Sequence, residues 1–387
     1  MFTGSSLSTP VRWAAFVFLL PVSLFALDNS DRWLDVEFPH DSPVLPVHVS
    51  LQEPGPTTAT VRGASIVVDL HASLLLRNTG AKPISGLTLM VETPDLTPSG
   101  RGSVTVPSLH AEPGAVFPVR IDLELLRPLN MGRSKGAIMQ VSLDCALFSD
   151  LSAYGPDKLH SHRMLAVYEM EARRDRRYLA RLLETGQLAE LREELNFGLQ
   201  DFNFSQLGLE LLRGPGAVAT RTQPMSVSAV AFPSSPVQPI GGNAQIAGNE
   251  VQTSQLQVRN ISGRPVRDFA VGWIIRDDRG QDFMAGSVPS ARELAPVETV
   301  SMTQPGTLRF SRPSGQPMVV DALLAYVNDV EFSDGKMWIP SRMDIRAATS
   351  DPILRRALAA SPEQQRLADV YRRKGMSGLE EELKRVN

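Results

Sequence analysis

Several short stretches carry residue types that could do chemistry. Gly132-Arg133-Ser134-Lys135-Gly136 has the G-x-S-x-G spacing of a nucleophile elbow, where a tight strand-to-helix turn lifts a serine hydroxyl toward a general base. Residues 137–148 alternate as a strand instead, so the helix that chemistry needs is missing and a glycine-bounded hairpin loop is favoured. His160-Ser161-His162 could offer two imidazoles to a metal. Two apart on a strand they would point the same way, yet a zinc site needs a third and fourth ligand. Only Asp157 lies close by in sequence, and the remaining histidines (His40, His48, His71, His110) are distant. The polar end of a β-unit leading into a helix is the favoured reading.

Asp277, Asp278 and Asp282 around Gly280 supply hard oxygen ligands of the kind calcium prefers. Their spacing departs from the EF-hand pattern, and a charged hairpin tip accounts for them. Cys145 falls on the apolar row of a strand, where a small core residue is expected rather than a thiol nucleophile, which needs exposure and a basic neighbour. Arg173, Arg174, Arg176 and Arg177, interrupted by Asp175, form a basic run on a predicted helix. A solvated face is expected there, with contact to an acidic partner or anionic surface as the sharper reading. Trp33 and Trp338 are the candidate stacking platforms for a sugar. With four tryptophans in all, one of them Trp13, an extended sugar-binding strip is not expected. Asn203-Phe204-Ser205 and Asn260-Ile261-Ser262 satisfy the glycosylation sequon. No phosphate-binding glycine loop, zinc signature or paired acid at catalytic spacing is found. The sequence thus predicts no catalytic residue, cofactor or metal.

The elements that would position these residues are mostly strands. Ile66, Val68, Leu70, Ala72, Leu74 and Leu76 alternate with a more polar row, as do Phe117, Val119, Ile121, Leu123 and Leu125. Met139, Val141, Leu143, Cys145 and Leu147 continue the pattern. Alternation of period two describes strands with one buried face, and their Gly/Pro/Asn punctuation argues for an antiparallel β-sandwich. From Arg163 to Glu184 the period becomes helical, with Gly186 as the stop. A short helix is predicted over residues 187–196, and further helical turns over 205–212. Asp351-Pro352 and Ser361-Pro362 each place a capping residue before a proline, marking late helix starts.

The chain repeats itself. Leu74–Ile84, with its core Arg77-Asn78-Thr79-Gly80-Ala81-Lys82-Pro83, recurs 182 residues downstream as Leu256–Val266, with Arg259-Asn260-Ile261-Ser262-Gly263-Arg264-Pro265. Asparagine suits the left-handed conformation of such a turn, and proline opens the next strand at an edge. The outward Arg77 and Arg259 could mark a shared binding surface. Later matches pair Val141, Leu143, Cys145 and Leu147 with Met318, Val320, Ala322 and Leu324, Phe148 with Tyr326, and Tyr154 with Phe332. Even the helices repeat, Gly186, Leu191 and Leu195 matching Gly375, Leu379 and Leu383. The predicted organisation is an export signal (1–26), a β-sandwich (45–160), a helical connector (161–213), a second sandwich (222–340) and C-terminal helices (350–387).

Composition sets the remaining bounds. With 387 residues, 42% apolar and 21% charged, the chain can bury sizeable cores. A net charge of −3 does not suggest nucleic-acid binding. Residues 13–27 form an apolar run after Arg12, interrupted by Pro21, short against the roughly 20 residues of a membrane span. An export signal cleaved near Ala26 is expected, leaving no stable membrane span. The single cysteine permits no intrachain disulfide. A periplasmic or secreted location is the expectation.

The repeated strand, N-x-x-x-[KR]-P-[IV] turn and following strand resemble turns of bacterial extracytoplasmic immunoglobulin-like or fibronectin-like modules. That resemblance implies tandem β-sandwiches, each followed here by short helices, and a non-catalytic role in adhesion, scaffolding or partner binding. The implied partner is another envelope protein or a surface polymer. The alternative is a carbohydrate-binding or accessory component of an extracytoplasmic enzyme system.

Overall fold

The computed structural model describes residues 34–50, 58–62, 65–93, 101–128, 139–199, 206–212, 222–290, 292–303, 307–311 and 319–385. The fold is mainly β, with five helices among the described residues. The first half contains β1 (Leu34–Glu37), β2 (Val44–Ser50), β3 (Thr58–Arg62), β4 (Ser65–Asn78), β5 (Ile84–Glu92), β6 (Arg101–Val106), β7 (Val116–Pro128), β8 (Met139–Phe148) and β9 (Ala153–Tyr154). They form two sheets. One runs β1-β8-β5-β6 with β9 on β8; the other runs β2-β4-β3 with β7 on β4. The alternation read from the sequence decides which side faces in. Leu70, Ala72, Leu74 and Leu76 of β4 and Phe117, Val119 and Ile121 of β7 share one core with Leu87, Leu89 and Val91 of β5 and Met139, Val141 and Leu143 of β8. Each fully buried leucine contributes about 2 kcal/mol.

The inward row of β8 does not continue to its end. Thr88 pairs with Cys145 but Leu89 pairs with Leu143, so Asp144 is the extra residue of a β-bulge. Past a bulge the faces exchange. Ala146 therefore enters the sandwich core, while Cys145 and Leu147 turn outward onto Leu165 and Ala166 of α1 (Ser161–Glu184). Asp144 holds the start of that helix, accepting from Ser161 Oγ at 2.5 Å and from the Leu159 amide at 3.2 Å. A Cβ on Gly86 would lie 2.9 Å from Leu165 Cδ2, so α1 packs its Leu165 directly onto the backbone of β5 there. The helix stops as expected. Gly186 has φ 69°, and the Gln187 amide reaches back to the Leu182 carbonyl at 2.9 Å. Then α2 (Leu188–Leu199) follows.

The second half contains β10 (Gln206–Leu212), β11 (Gln223–Val230), β12 (Val237–Ala247), β13 (Glu250–Asn260), β14 (Val266–Asp277), β15 (Asp282–Pro289), β16 (Thr299–Thr303), β17 (Thr307–Ser311), β18 (Val320–Phe332) and β19 (Met337–Trp338). Residues 206–212 are thus a strand, not the expected helical turns. Their leucines also recur at every second position, and the pairing offered by β17 and β15 decides between the two periods. Nor is this half a pair of separate antiparallel sheets. Its ten strands form one sheet, order β11-β12-β13-β17-β10-β15-β14-β18-β19 with β16 on β13, and β11 also pairs with β18. The sheet is nearly closed and barrel-like around Phe269, Trp273, Phe310 and Val330. Among the described strands three pairings, β1–β8, β10–β15 and β11–β18, are parallel.

Helices α3 (Arg342–Ala348), α4 (Pro352–Ala359) and α5 (Pro362–Arg385) end the chain. The two Asp/Ser-Pro starts hold: Asp351 Oδ1 accepts from the Ile353 amide at 2.9 Å, and Ser361 Oγ from the Gln364 amide at 3.2 Å. Gly375, at φ 69°, breaks α5 as Gly186 separates α1 from α2. Leu179, Leu182, Leu191 and Leu195 from the first half and Leu367, Ala368, Leu379 and Leu383 from the second form a single core.

The internal repeat is visible strand by strand, with one correction to the register. Phe148 pairs with Ile84 and Phe332 with Val266. Asn328, between Ala270↔Asp329 and Val271↔Val327, is the bulge residue equivalent to Asp144. Leu143 therefore corresponds to Val327, Cys145 to Asp329 and Phe148 to Phe332, not to Val320, Ala322 and Tyr326. Likewise Tyr154 corresponds to Trp338, since each pairs near the end of its long strand. The sequence match that pairs Leu143 with Val320 sets Asp144 against Asp321, seven positions from its structural equivalent Asn328. An odd shift reverses strand faces, and the pairing with β5 and β14 fixes the register.

Candidate functional site

The chemistry-bearing side chains converge on the buried face of α1. Glu169, Ala172, Asp175, Arg176 and Leu179 recur at three- and four-residue spacing, and all are buried. The arginine run is therefore not a solvated face. The side chains of Arg174 and Arg176 are 9% and 4% exposed, Arg173 is half-buried and only Arg177 is exposed.

Each inward arginine meets a carboxylate or a carbonyl. Arg173 Nε donates to Glu169 Oε1 at 2.8 Å, and its Nη2 donates to the Ser149 carbonyl. Arg174 Nε donates to Asp175 Oδ1 at 3.0 Å, while its Nη1 and Nη2 donate to the Pro340 and Ala359 carbonyls at 3.2 and 2.6 Å. Arg176 bridges Glu169 (3.2 Å) and Glu363 of α5 (3.3 Å). From α3, Arg342 reaches Asp175, Glu194 of α2 (3.1 Å) and Gln364 (3.2 Å). Ser361 Oγ donates to Asp175 Oδ2 at 2.6 Å. At the opening of α1, Arg163 donates to Asp268 of β14 at 2.6 Å and to Asp329 of β18.

Burial and charge set the protonation states. Burial works to raise the Asp175 carboxyl, but Arg174 and Arg342 outweigh it and hold it below the ordinary range. Glu363 is held low in the same way, its burial outweighed by His110 and Arg366. Asp329 goes the other way: its burial exceeds what Arg163 returns, and its carboxyl is raised. Burial also lifts half-buried Glu171 to about 7, with Arg174 lowering it and Asp175 and Asp329 raising it. Balanced charges in this geometry clamp helices together.

The other candidates disperse. His160 precedes α1 with φ 54°, and His162 lies in its first turn, so they do not share a strand face as the sequence suggested. Ser161 between them is committed to Asp144. Asp277 Oδ1 accepts from the Arg279 and Gln281 amides at 3.0 and 2.9 Å, and Asp282 pairs with Arg276 at 2.8 Å, so these carboxylates organise a hairpin. Among the described residues, no group of three or more His, Cys, Asp or Glu is arranged to hold a metal ion. Burial pushes the Cys145 thiol up to about 12, with Asp157 and Asp144 adding to it. Trp338 is half-buried, its Nε1 donating to Ser234 Oγ at 3.1 Å and its ring 6.4 Å from that of Phe232. It packs at the edge of the clusters around Phe232 and Val330. Residues 132–136, Trp33, Asn203 and residues 1–26 lie outside the described residues.

The repeated turns have a different physical basis from the one their sequence implied. Neither Asn78 nor Asn260 has a positive φ; both end strands and are fully buried. Asn78 Nδ2 donates to the carbonyls of Lys82 and Ala111, both at 2.9 Å, and its Oδ1 accepts from the Gly80 amide at 2.9 Å. Asn260 repeats this with Arg264 (2.9 Å), Ala295 (3.0 Å) and the Ser262 amide (2.9 Å). So placed, Asn260 cannot accept a glycan in the folded chain. The neighbouring Arg77 and Arg259 are exposed on corresponding strands, as expected.

No known family model matches the chain, and no curated protein matches it. Among solved structures it is similar to a two-domain protein of unknown function from Bacteroides fragilis, with 9% identity, a TM-score of 0.13 and coverage of 74% of this chain and 90% of that one. Vicilin from hazelnut, Corylus avellana, gives 11% identity, a TM-score of 0.07 and coverage of 70% and 81%. At these scores neither likeness bears on fold or function.

Proposed function

We propose that the protein is an exported, non-catalytic envelope scaffold whose two β-units, immunoglobulin-like modules in this reading, present surfaces to another envelope protein or surface polymer. The observation that carries this reading is the clamp. Buried ion pairs from α1, α2, α3 and α5 join the two halves, and a scaffold needs its modules held at a fixed separation and angle. Exposed Arg77 and Arg259 sit at equivalent corners of the two units and are the first residues to examine for contact. The carbohydrate-binding alternative would have to use Trp338, whose indole N–H is already donated to Ser234 and whose ring lies against Phe232.

The test is cellular. The chain is expressed with and without residues 1–26 in a bacterial host, followed by fractionation and by in-cell cross-linking from Arg77→Cys and Arg259→Cys variants made in a Cys145→Ala background. The reading expects envelope localisation that depends on residues 1–26 and reproducible cross-links to one envelope component. Cytoplasmic retention of the full-length chain, or turnover of small-molecule esters or glycosides lost in Ser134→Ala, would end it.

A further inference from the structure

The two halves solve the same architectural problem differently at one place. In the second half, β10 lies between β17 and β15, pairing antiparallel with Thr307–Ser311 and parallel with Met284 and Ala285. This strand turns two sheets into one. In the first half the corresponding backbone is identifiable from the ladders. Val68↔Leu125 and Asp69↔Glu124 match Glu250↔Arg309 and Val251↔Leu308, which places residues 123–127 of β7 where β17 lies. Glu92↔Arg101 and Val91↔Gly102 match Ile274↔Met284 and Trp273↔Ala285, which places the start of β6 where β15 meets β10. Among the described residues no strand lies between them. Among the described strands β6 ends its sheet, β7 pairs with β4 alone, and the two sheets share no ladder.

We infer that the gap between β6 and β7 is a strand-accepting site, and that its occupant is an extended segment of another polypeptide. Unpaired sheet edges present rows of amide donors and carbonyl acceptors that template a further strand. The second half shows what chemistry fills such a place: seven residues, Gln206-Leu207-Gly208-Leu209-Glu210-Leu211-Leu212, with leucine at every second position and no proline. A partner segment of that pattern would set one apolar row toward the core of the first unit and add backbone bonds to both edges. The repeat also explains why this chain would not supply the strand itself. Leu34 corresponds to Val227 and Val44 to Val237, both 193 residues apart. The same offset carries β10 to residues 13–19, inside the apolar run read as an export signal. In this respect the inference rests on the proposed export and cleavage.

The experiment uses the full-length chain expressed in an exporting bacterial host and purified from the envelope fraction, its amino terminus established by intact mass. A synthetic peptide of residues 206–212 with flanking lysines is titrated by fluorescence anisotropy, and amide exchange is followed by mass spectrometry. The inference expects saturable binding and roughly tenfold slower exchange confined to residues 101–106 and 123–127. The same peptide carrying Leu209→Pro gives neither. Absence of saturable binding, or protection appearing only at 282–289 and 307–311, overturns it. If the purified chain keeps residues 1–26 and 101–106 is already protected before peptide is added, the site is filled from within and the partner is excluded. If it keeps them and the edges exchange freely, cleavage is refuted, and the peptide titration still decides the site.

Discussion

Arg342, in the first turn of α3, donates from Nε to Oδ1 of Asp175, in the middle of α1, across 2.9 Å. The two residues are 167 positions apart and belong to different halves of the repeat. Asp175 is fully buried, and it also takes hydrogen bonds from Arg174 and Ser361. Deleting one side of a buried pair is costly because the other charge stays desolvated. Asp175→Ala, which strands Arg174 and Arg342 together, is expected to lose about 3–5 kcal/mol in urea unfolding at pH 7. Asp175→Asn keeps the Ser361 bond and should lose less. A loss under about 1 kcal/mol for the alanine variant would mean that water reaches the site and the clamp is weak.

The buried corner asparagines give a second expectation. Asn78→Ala leaves the Lys82 and Ala111 carbonyls and the Gly80 amide without the side-chain partner, and Asn260→Ala does the same to its equivalents. Unsatisfied buried polar groups cost about 1–3 kcal/mol. Each variant should lose about 2 kcal/mol or more, and the double variant should lose the sum, because the corners lie in separate cores. Thermal unfolding of the three variants checks it. A marked shortfall from additivity would show that the two corners are coupled.

How much of this was legible follows from which periods the sequence expresses. Rows such as Leu70, Ala72, Leu74 and Leu76 could be read because a two-residue alternation has one explanation. The helix over 163–184 and its Gly186 stop were equally plain. The inward turn of Asp175 and Arg176 was not, because an arginine run looks like a wet surface until the opposing carboxylates are known. The distant one is Glu363 of α5, which meets Arg176, and no local rule brings it to α1. The charge alternation in Glu169-Met170-Glu171-Ala172-Arg173-Arg174-Asp175-Arg176 was the available signal. The bulge at Asp144 was invisible for a related reason: one extra residue reverses a strand's faces without altering its composition.

Cys145 offers a direct check on that bulge. Its side chain lies between β8 and α1 with Leu147, Leu165 and Ala166, and burial holds the thiol protonated, its pKa pushed up to about 12. A thiol-specific disulfide reagent should therefore label the native chain at pH 8 at least about a hundredfold more slowly than the urea-unfolded chain. Rapid native labelling would mean that α1 does not cover that face of β8.

Glu171 supplies a pH dependence of definite sign. Its carboxyl is lifted from an ordinary 4.5 to about 7 in the folded chain, first by burial, then by the balance of Arg174 against Asp175 and Asp329. A raised carboxyl binds its proton more tightly when folded. Its favourable contribution is therefore complete below about pH 4.5 and is lost as the pH rises through 7. Glu171→Gln is neutral at every pH and escapes that loss. The variant should lie much closer to the parent at pH 5 than at pH 8, where it should exceed it by about 1–3 kcal/mol, the range reflecting the carboxyl's partial exposure. Asp175 and Glu363, held low, act oppositely and destabilise both proteins alike on acidification, so the difference between variant and parent isolates Glu171. Urea unfolding at pH 5 and pH 8 reads it out. A variant less stable than the parent at pH 8 would show that the ionised carboxylate is held by Arg174 or Arg342, and that the clamp extends one turn further along α1.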